Sequence, residues 1–313
     1  MLHIIYRESS LINFLLGTIY IKENCRILSM PKLRLNLWGR IIYFLERKFQ
    51  ININPKNRFS SKAVNKIKSI NIDDKVLLFD LNNYIDILYI KEISKNEQIN
   101  LWIWNTLSMN NIDKYLNKLK SKGINIFTFD YNDSESYNIH LLNQVFRPID
   151  SANDYNTIHQ YDFFFIGMDK GRIFKLIELA SILDAQGYSF KFIVFEKNRK
   201  KQVNSAYISY ISDQLPYVEI LELIKKSRVI VDFTKETQTG LTLRILEASF
   251  FGKKVVTNNI NVVKTDIYNE NNIFVLGKNH FSGLKNFINT TFTPISIEIL
   301  EKYSINHWIK NFI

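Results

Sequence analysis

The chain has 313 residues, 46% of them hydrophobic and 23% charged. These are the proportions of a folded protein with room for two domains of about 150 residues, and they exclude a disordered or collagen-like chain. A single cysteine, Cys25, excludes an internal disulfide framework and a cysteine-based zinc finger, and the formal charge of +11 is concentrated at the front: residues 1–70 hold thirteen Lys and Arg against Glu8, Glu23 and Glu46, a net +10, while the rest of the chain is close to neutral.

The longest apolar run, Leu11 to Ile21, is interrupted by Asn13, Gly17 and Thr18 and is too short to span a bilayer. Glu8 and the lack of a small-residue cleavage pattern speak against a secretory leader there, so a cytoplasmic location is expected. From Lys32 to Phe49 the basic residues Lys32, Arg34, Arg40, Arg47 and Lys48 alternate with Trp38, Tyr43, Phe44 and long aliphatics. That mixture suits an anionic membrane surface, with the protein peripheral on the inner face, and equally a core helix with a solvated basic side. Nucleic acid is not an expected partner, because no zinc-finger spacing or RNA-binding aromatic motif accompanies the charge.

From residue 75 the chain alternates short apolar runs with helical patterns. Lys75 to Leu81 and Ile99 to Trp104 read as buried strands. Asn111 to Lys122 reads as a helix stopped by Gly123, and Ile124 to Phe129 as the next strand. A second series starts near residue 160. It has strands at Tyr161–Ile166, Phe190–Phe195, Arg228–Phe233 and Lys254–Thr257, and helices at Arg172–Gln186, Tyr217–Lys226 and Gly240–Phe251. Strand and helix alternating without hairpin turns implies parallel pairing, hence an α/β protein. The polar stretch Asp150 to Gln160 reads as the linker, giving domains 1–155 and 156–313 with parallel sheets facing a central cleft. Open sheets of this kind bind ligands at the carboxyl ends of their strands.

Two segments carry candidate chemistry. In Gly167–Arg172 (GMDKGR), Gly167 and Gly171 allow close backbone approach, while Lys170, Arg172 and the helix start suit a phosphate or diphosphate. The bland alternative is a tight turn with two solvated cations. In Asp232–Asn259, Thr239 is the expected cap of a helix opening at Gly240, with Leu241 and Thr242 beside it. Leu243, Leu246 and Phe250 form the expected buried stripe. Arg244 and Glu247, three apart, are either a local ion pair or a phosphate-binding guanidinium beside a carboxylate that accepts from sugar hydroxyls.

Gly240, Leu241, Glu247, Ala248, Gly252, Lys253, Val255, Val256 and Thr257 resemble the donor-binding half of nucleotide-sugar glycosyltransferases with two Rossmann-like domains, the GT-B type. The resemblance is strongest over residues 160–277 and leans toward bacterial lipopolysaccharide and capsule assembly. It implies a transferase that takes a sugar from a nucleotide-diphosphate or CMP donor to a surface polysaccharide or lipid-linked glycan. Gly167, Lys170, Gly171, Arg172, Thr239, Gly240, Leu241, Thr242, Arg244 and Glu247 would hold the donor, and Ile295–Ile313 would pack back on the first domain. Retaining members have two glutamates eight positions apart, and here Thr239 stands eight before Glu247, which leaves the stereochemistry open. No two aspartates lie two positions apart, so the Asp-x-Asp metal motif of single-domain transferases is missing. The expectation is a metal-independent reaction without a cofactor. Asp80 and Asp130, at strand ends, are candidate bases, followed by Asp86 and His140. A non-catalytic, membrane-recruited protein that binds a nucleotide or sugar, and a nucleotide-sugar epimerase on the same fold, are the alternatives.

Overall fold

The computed structural model describes residues 1–17, 24–30, 36–49, 59–107, 112–148, 159–235, 238–276, 281 and 283–313. They form two six-stranded sheets in which the paired strands run parallel. The first contains β1 (Leu2–Arg7), β2 (Cys25–Met30), β3 (Lys75–Phe79), β4 (Ile99–Ile103), β5 (Ile124–Thr128) and β6 (His140–Leu141), in the order β2-β1-β3-β4-β5-β6. The second contains β7 (Tyr161–Met168), β8 (Phe190–Phe195), β9 (Ile208–Ile211), β10 (Ser227–Asp232), β11 (Lys254–Thr257) and β12 (Ile273–Val275), in the order β12-β11-β10-β7-β8-β9.

Helices cover a parallel sheet on both faces, so its inner strands are buried on both sides and read as unbroken apolar runs. Val76–Phe79 and Phe163–Ile166 are buried throughout. Each fully buried Phe or Leu side chain contributes on the order of 2 kcal/mol. The first core gathers Ile5, Leu78, Leu101, Ile126 and Leu119, and the second Phe163, Phe165, Leu176, Phe192, Val231 and Val256.

In each sheet the strand order reverses once, between β1 and β3 in the first and between β7 and β10 in the second. At such a point the connections leave in opposite directions and open a crevice at the carboxyl edge.

The basic front end is not a separate appendage. Leu2 pairs with Cys25 on one side and Lys75 on the other, which places β1 inside the first sheet. Its net charge hides a short buried strand. The expected helix 111–122 is a 3₁₀ turn, Asp113–Tyr115, followed by Leu116–Ser121; Asn111 lies outside the described residues. The helix expected from Gly240 starts at Leu243, capped by Thr242 rather than Thr239. Leu243 is only partly buried, and Ile245 takes its place in the core.

The chain divides into two compact units, Met1–Asn143 with Ile309–Ile313, and Gln144–Trp308. Most of the expected linker, 149–158, lies outside the described residues. Of the terminal segment, Ile309–Ile313 belongs to the first unit, where the Phe312 ring meets Phe127 edge-on at 5.1 Å. The helices Ile297–Lys302 and Ile305–Trp308 belong to the second. Among the described residues no helix is long and apolar enough to cross a membrane.

Candidate functional site

The second unit's crevice is built from the loops after β7 and β10. β7 runs through Gly167 to Met168, two residues past its expected end. Lys170 (φ +49°) and Gly171 (φ +86°) then reverse the chain in the left-handed region, where an L side chain is strained and glycine is not. Asp169 Oδ1 accepts from the N–H groups of Arg172 (2.9 Å) and Ile173 (2.8 Å) and so caps the helix Ile173–Ala185. Two N–H groups expected to face a phosphate are thus already satisfied by a side chain.

Arg172 ties the two loops together. Its Nε and Nη2 donate to Met168 O at 3.0 and 2.8 Å, and its Nη1 donates to the carbonyl of Phe233, the first residue past β10. The guanidinium also lies over the Phe165 ring, 5.0 Å from its centroid. Gly167 leaves room for this packing: a Cβ there would meet Arg172 Nη2 at 3.0 Å, and the guanidinium would have to give by a few tenths of an ångström. A guanidinium has five N–H donors. Three of these N–H groups are engaged on backbone carbonyls.

Behind the clamp lies a buried ionic network. Asp232, the last residue of β10, accepts from Thr257 Oγ1 (3.2 Å) and from the Thr242 hydroxyl. Burial pushes its carboxyl up to about 6 against the pull of Thr242, Arg172, Thr257 and Arg244. Arg244 donates to Glu247 and, at 3.3 Å, to Ile166 O in β7. Burial works against the Arg244 charge, but Glu247, Tyr217 and Asp232 outweigh it and hold the guanidinium above its ordinary value. Glu247 is fully buried; its second oxygen accepts from the Tyr217 hydroxyl. Burial first and Glu247 second raise the Tyr217 phenol well above its usual range. The Arg244–Glu247 pair foreseen from the three-residue spacing is therefore real, but the carboxylate is internal and engaged on both sides.

Two asparagines fix the loop between β10 and the next helix. Asn258 Oδ1 accepts from Thr234 N at 2.7 Å, and Asn259 Nδ2 donates to Gly240 O at 3.0 Å. Leu241 is buried and Thr239 half-buried; Glu236, the acidic residue nearest Glu247 upstream, lies outside the described residues. Lys170 and Lys235 are exposed at the rim. Reduced hydration, then the like charges of Arg172 and Lys235, lower the Lys170 ammonium below its ordinary value. The structure thus gathers Gly167, Lys170, Arg172, Thr242, Arg244 and Glu247 and adds Asp232, Tyr217 and Lys235, which the sequence did not single out.

The first unit's strand ends carry acids. Asp80 follows β3 at φ +53°, an uncommon conformation for a non-glycine residue. Its Oδ1 accepts from Trp104 N (3.1 Å) and Asn82 Nδ2 (3.2 Å), and Oδ2 lies outside both bonds. Burial pushes this carboxyl up to about 6, against the pull of Trp104 and Asn82. Asp130 is fully buried and caps the helix Tyr131–Tyr137 through Asp133 N at 3.2 Å. Asp86 is buried against Arg7 at 3.0 Å, and His140 is exposed beside Phe127. Among the described residues no three His, Cys, Asp or Glu side chains cluster as a metal site would need.

No family model matches this sequence, and neither does any curated protein. Solved structures do. Anabaena HepE in complex with UDP-glucose superposes with a TM-score of 0.62 over 99% of this chain and 98% of that one, at 12% identity. An α,α-trehalose-phosphate synthase (UDP-forming) from Burkholderia vietnamiensis gives 0.60 over 100% and 98%, at 11% identity. A glycosyltransferase from Rickettsia africae gives 0.53 over 99% and 96%, at 12% identity. The fold is the GT-B fold of two Rossmann-like units. At these identities the likeness speaks for the fold alone.

Proposed function

We propose that the protein is a glycosyltransferase that moves a sugar from a nucleotide-diphosphate, or CMP, donor to a surface polysaccharide or lipid-linked glycan. The observation that carries this reading is the set of cations around the β7/β10 switch point, where Arg172 joins the two loops and Arg244 stands behind it. The structural neighbours whose complexes hold UDP-glucose lend the reading its donor class.

In the proposed reaction the acceptor hydroxyl oxygen bonds to the anomeric carbon and the bond to the donor phosphate breaks. The electron pair leaves on the phosphate oxygen. Charge grows on that group, so side chains fixed there beforehand lower the barrier most. Lys170, Arg172 and Arg244 take this role without a metal or cofactor, with Lys235 at the rim. Glu247 and Tyr217 hold Arg244 in place, and Gly240, Leu241, Thr239 and Thr242 shape the donor loop. Asp80 is the proposed acceptor of the hydroxyl proton; Asp130 is the weaker candidate, because it is a buried cap.

Thr239, in place of a first glutamate, and the internal position of Glu247 favour a second reading: a protein that binds the nucleotide sugar without turnover. Products separate the two, and an epimerase as well. A transferase releases nucleotide only when a glycan acceptor is present, an epimerase converts the donor alone, and a binder does neither. Nucleotide release in the absence of acceptor, or its absence with every acceptor class tried, would count against the transferase.

A further inference from the structure

The helix Leu37–Phe49 presents an apolar face to water. Leu37 is 71% exposed, Trp38 72%, Ile41 41% and Phe44 62%. At about 100° per residue these positions fall within one arc of the helix surface. The three other tryptophans, Trp102, Trp104 and Trp308, are 0%, 9% and 1% exposed, so the chain buries this residue type everywhere else. Arg40 is exposed beside the stripe, while Glu46, the helix's acidic residue, is buried. An amphipathic helix with a water-facing Trp, in a segment of net +10, combines two forces that act on one kind of surface.

We propose that this face docks on an anionic lipid bilayer, the helix lying in the interface with Trp38 and Phe44 among the headgroups. A second copy fits these features less well, because a two-fold contact would set two strongly basic segments against each other. A nucleic acid would use the charge but leave four apolar side chains in water. The proposal stands independently of the transferase reading.

The test uses the full chain with vesicles of phosphatidylcholine alone or mixed equally with phosphatidylglycerol. Trp38 is the exposed tryptophan of the four, so emission reports directly on this face. The expected result is pelleting and a blue shift with anionic vesicles only. Both should weaken between about 0.1 and 1 M salt, as the screening length falls from about 10 to 3 Å. Trp38→Glu should lower partitioning by about tenfold or more, with an unchanged melting temperature because the site is exposed. Several results would overturn the proposal: no pelleting, equal partitioning onto neutral vesicles, or partitioning that Trp38→Glu leaves intact. So would lipid-free self-association that this substitution abolishes, which would assign the face to a second copy.

Discussion

The two switch points share an architecture and differ in chemistry. At β1/β3 the chain places Asp80 in a strained conformation, with one carboxylate oxygen held by a backbone N–H, and Asp86 against Arg7. At β7/β10 it places two arginines, Arg172 bound to the Met168 and Phe233 carbonyls and Arg244 to Glu247 and the Ile166 carbonyl, with lysines at the rim. Parallel sheets fix where a site forms, and the residues that follow the strands fix its charge. In the proposed reaction the acidic end suits proton removal from a hydroxyl, and the basic end suits a departing phosphate.

The largest effect should come from the basic end. Glu247→Ala leaves the Arg244 guanidinium buried without its carboxylate, and a broken buried pair costs about 3–5 kcal/mol. Urea unfolding should show this loss, and Glu247→Gln should lose less because it still accepts from Tyr217. Equal losses in the two variants would mean that volume, rather than charge pairing, holds this network.

The acidic end should respond in the opposite direction. The folded-state value of Asp80, about 6, lies above that of an unfolded aspartate. The folded chain therefore binds this proton more tightly. Its stabilising contribution is complete below about pH 4 and is lost as the pH rises through about 6. Asp80→Asn removes the buried charge and keeps an acceptor for Trp104 N. It should raise stability at pH 7 by about 2 kcal/mol while abolishing transfer. Transfer by the native protein should rise with pH through about 6. A variant that retains activity would remove Asp80 from the reaction.

A smaller effect is expected at Gly167→Ala, whose Cβ would press on Arg172 Nη2. Stability should fall by only about 1 kcal/mol, while nucleotide affinity falls further because the clamp is displaced. If thermal unfolding and nucleotide titration change in step, the glycine serves packing alone.

Much of the fold was legible in the sequence because buried parallel strands leave contiguous apolar runs, as in Lys75–Phe79 and Lys254–Thr257. β1 was hidden by the charge of its neighbourhood, and β9 and β12 by their shortness. The helix start at Leu243 was misplaced because Asn259, from beyond β11, holds Gly240 in the loop. In the site, local spacing revealed Arg244 with Glu247 and the cations of the 167–172 loop. Tyr217, thirty residues from Glu247, and the Phe233 carbonyl that receives Arg172 across 61 residues are contacts that only the folded sheet creates.

Equilibrium binding of uridine, guanosine and cytidine diphosphates reads the cation set at the β7/β10 switch point without intervening steps. At least one of them should bind the native protein saturably. Affinity should fall about tenfold in Lys170→Ala, whose exposed side chain can be removed without disturbing the fold. Binding that is absent for all three, or unchanged in Lys170→Ala and Arg172→Lys alike, would contradict the donor-binding role proposed for these cations.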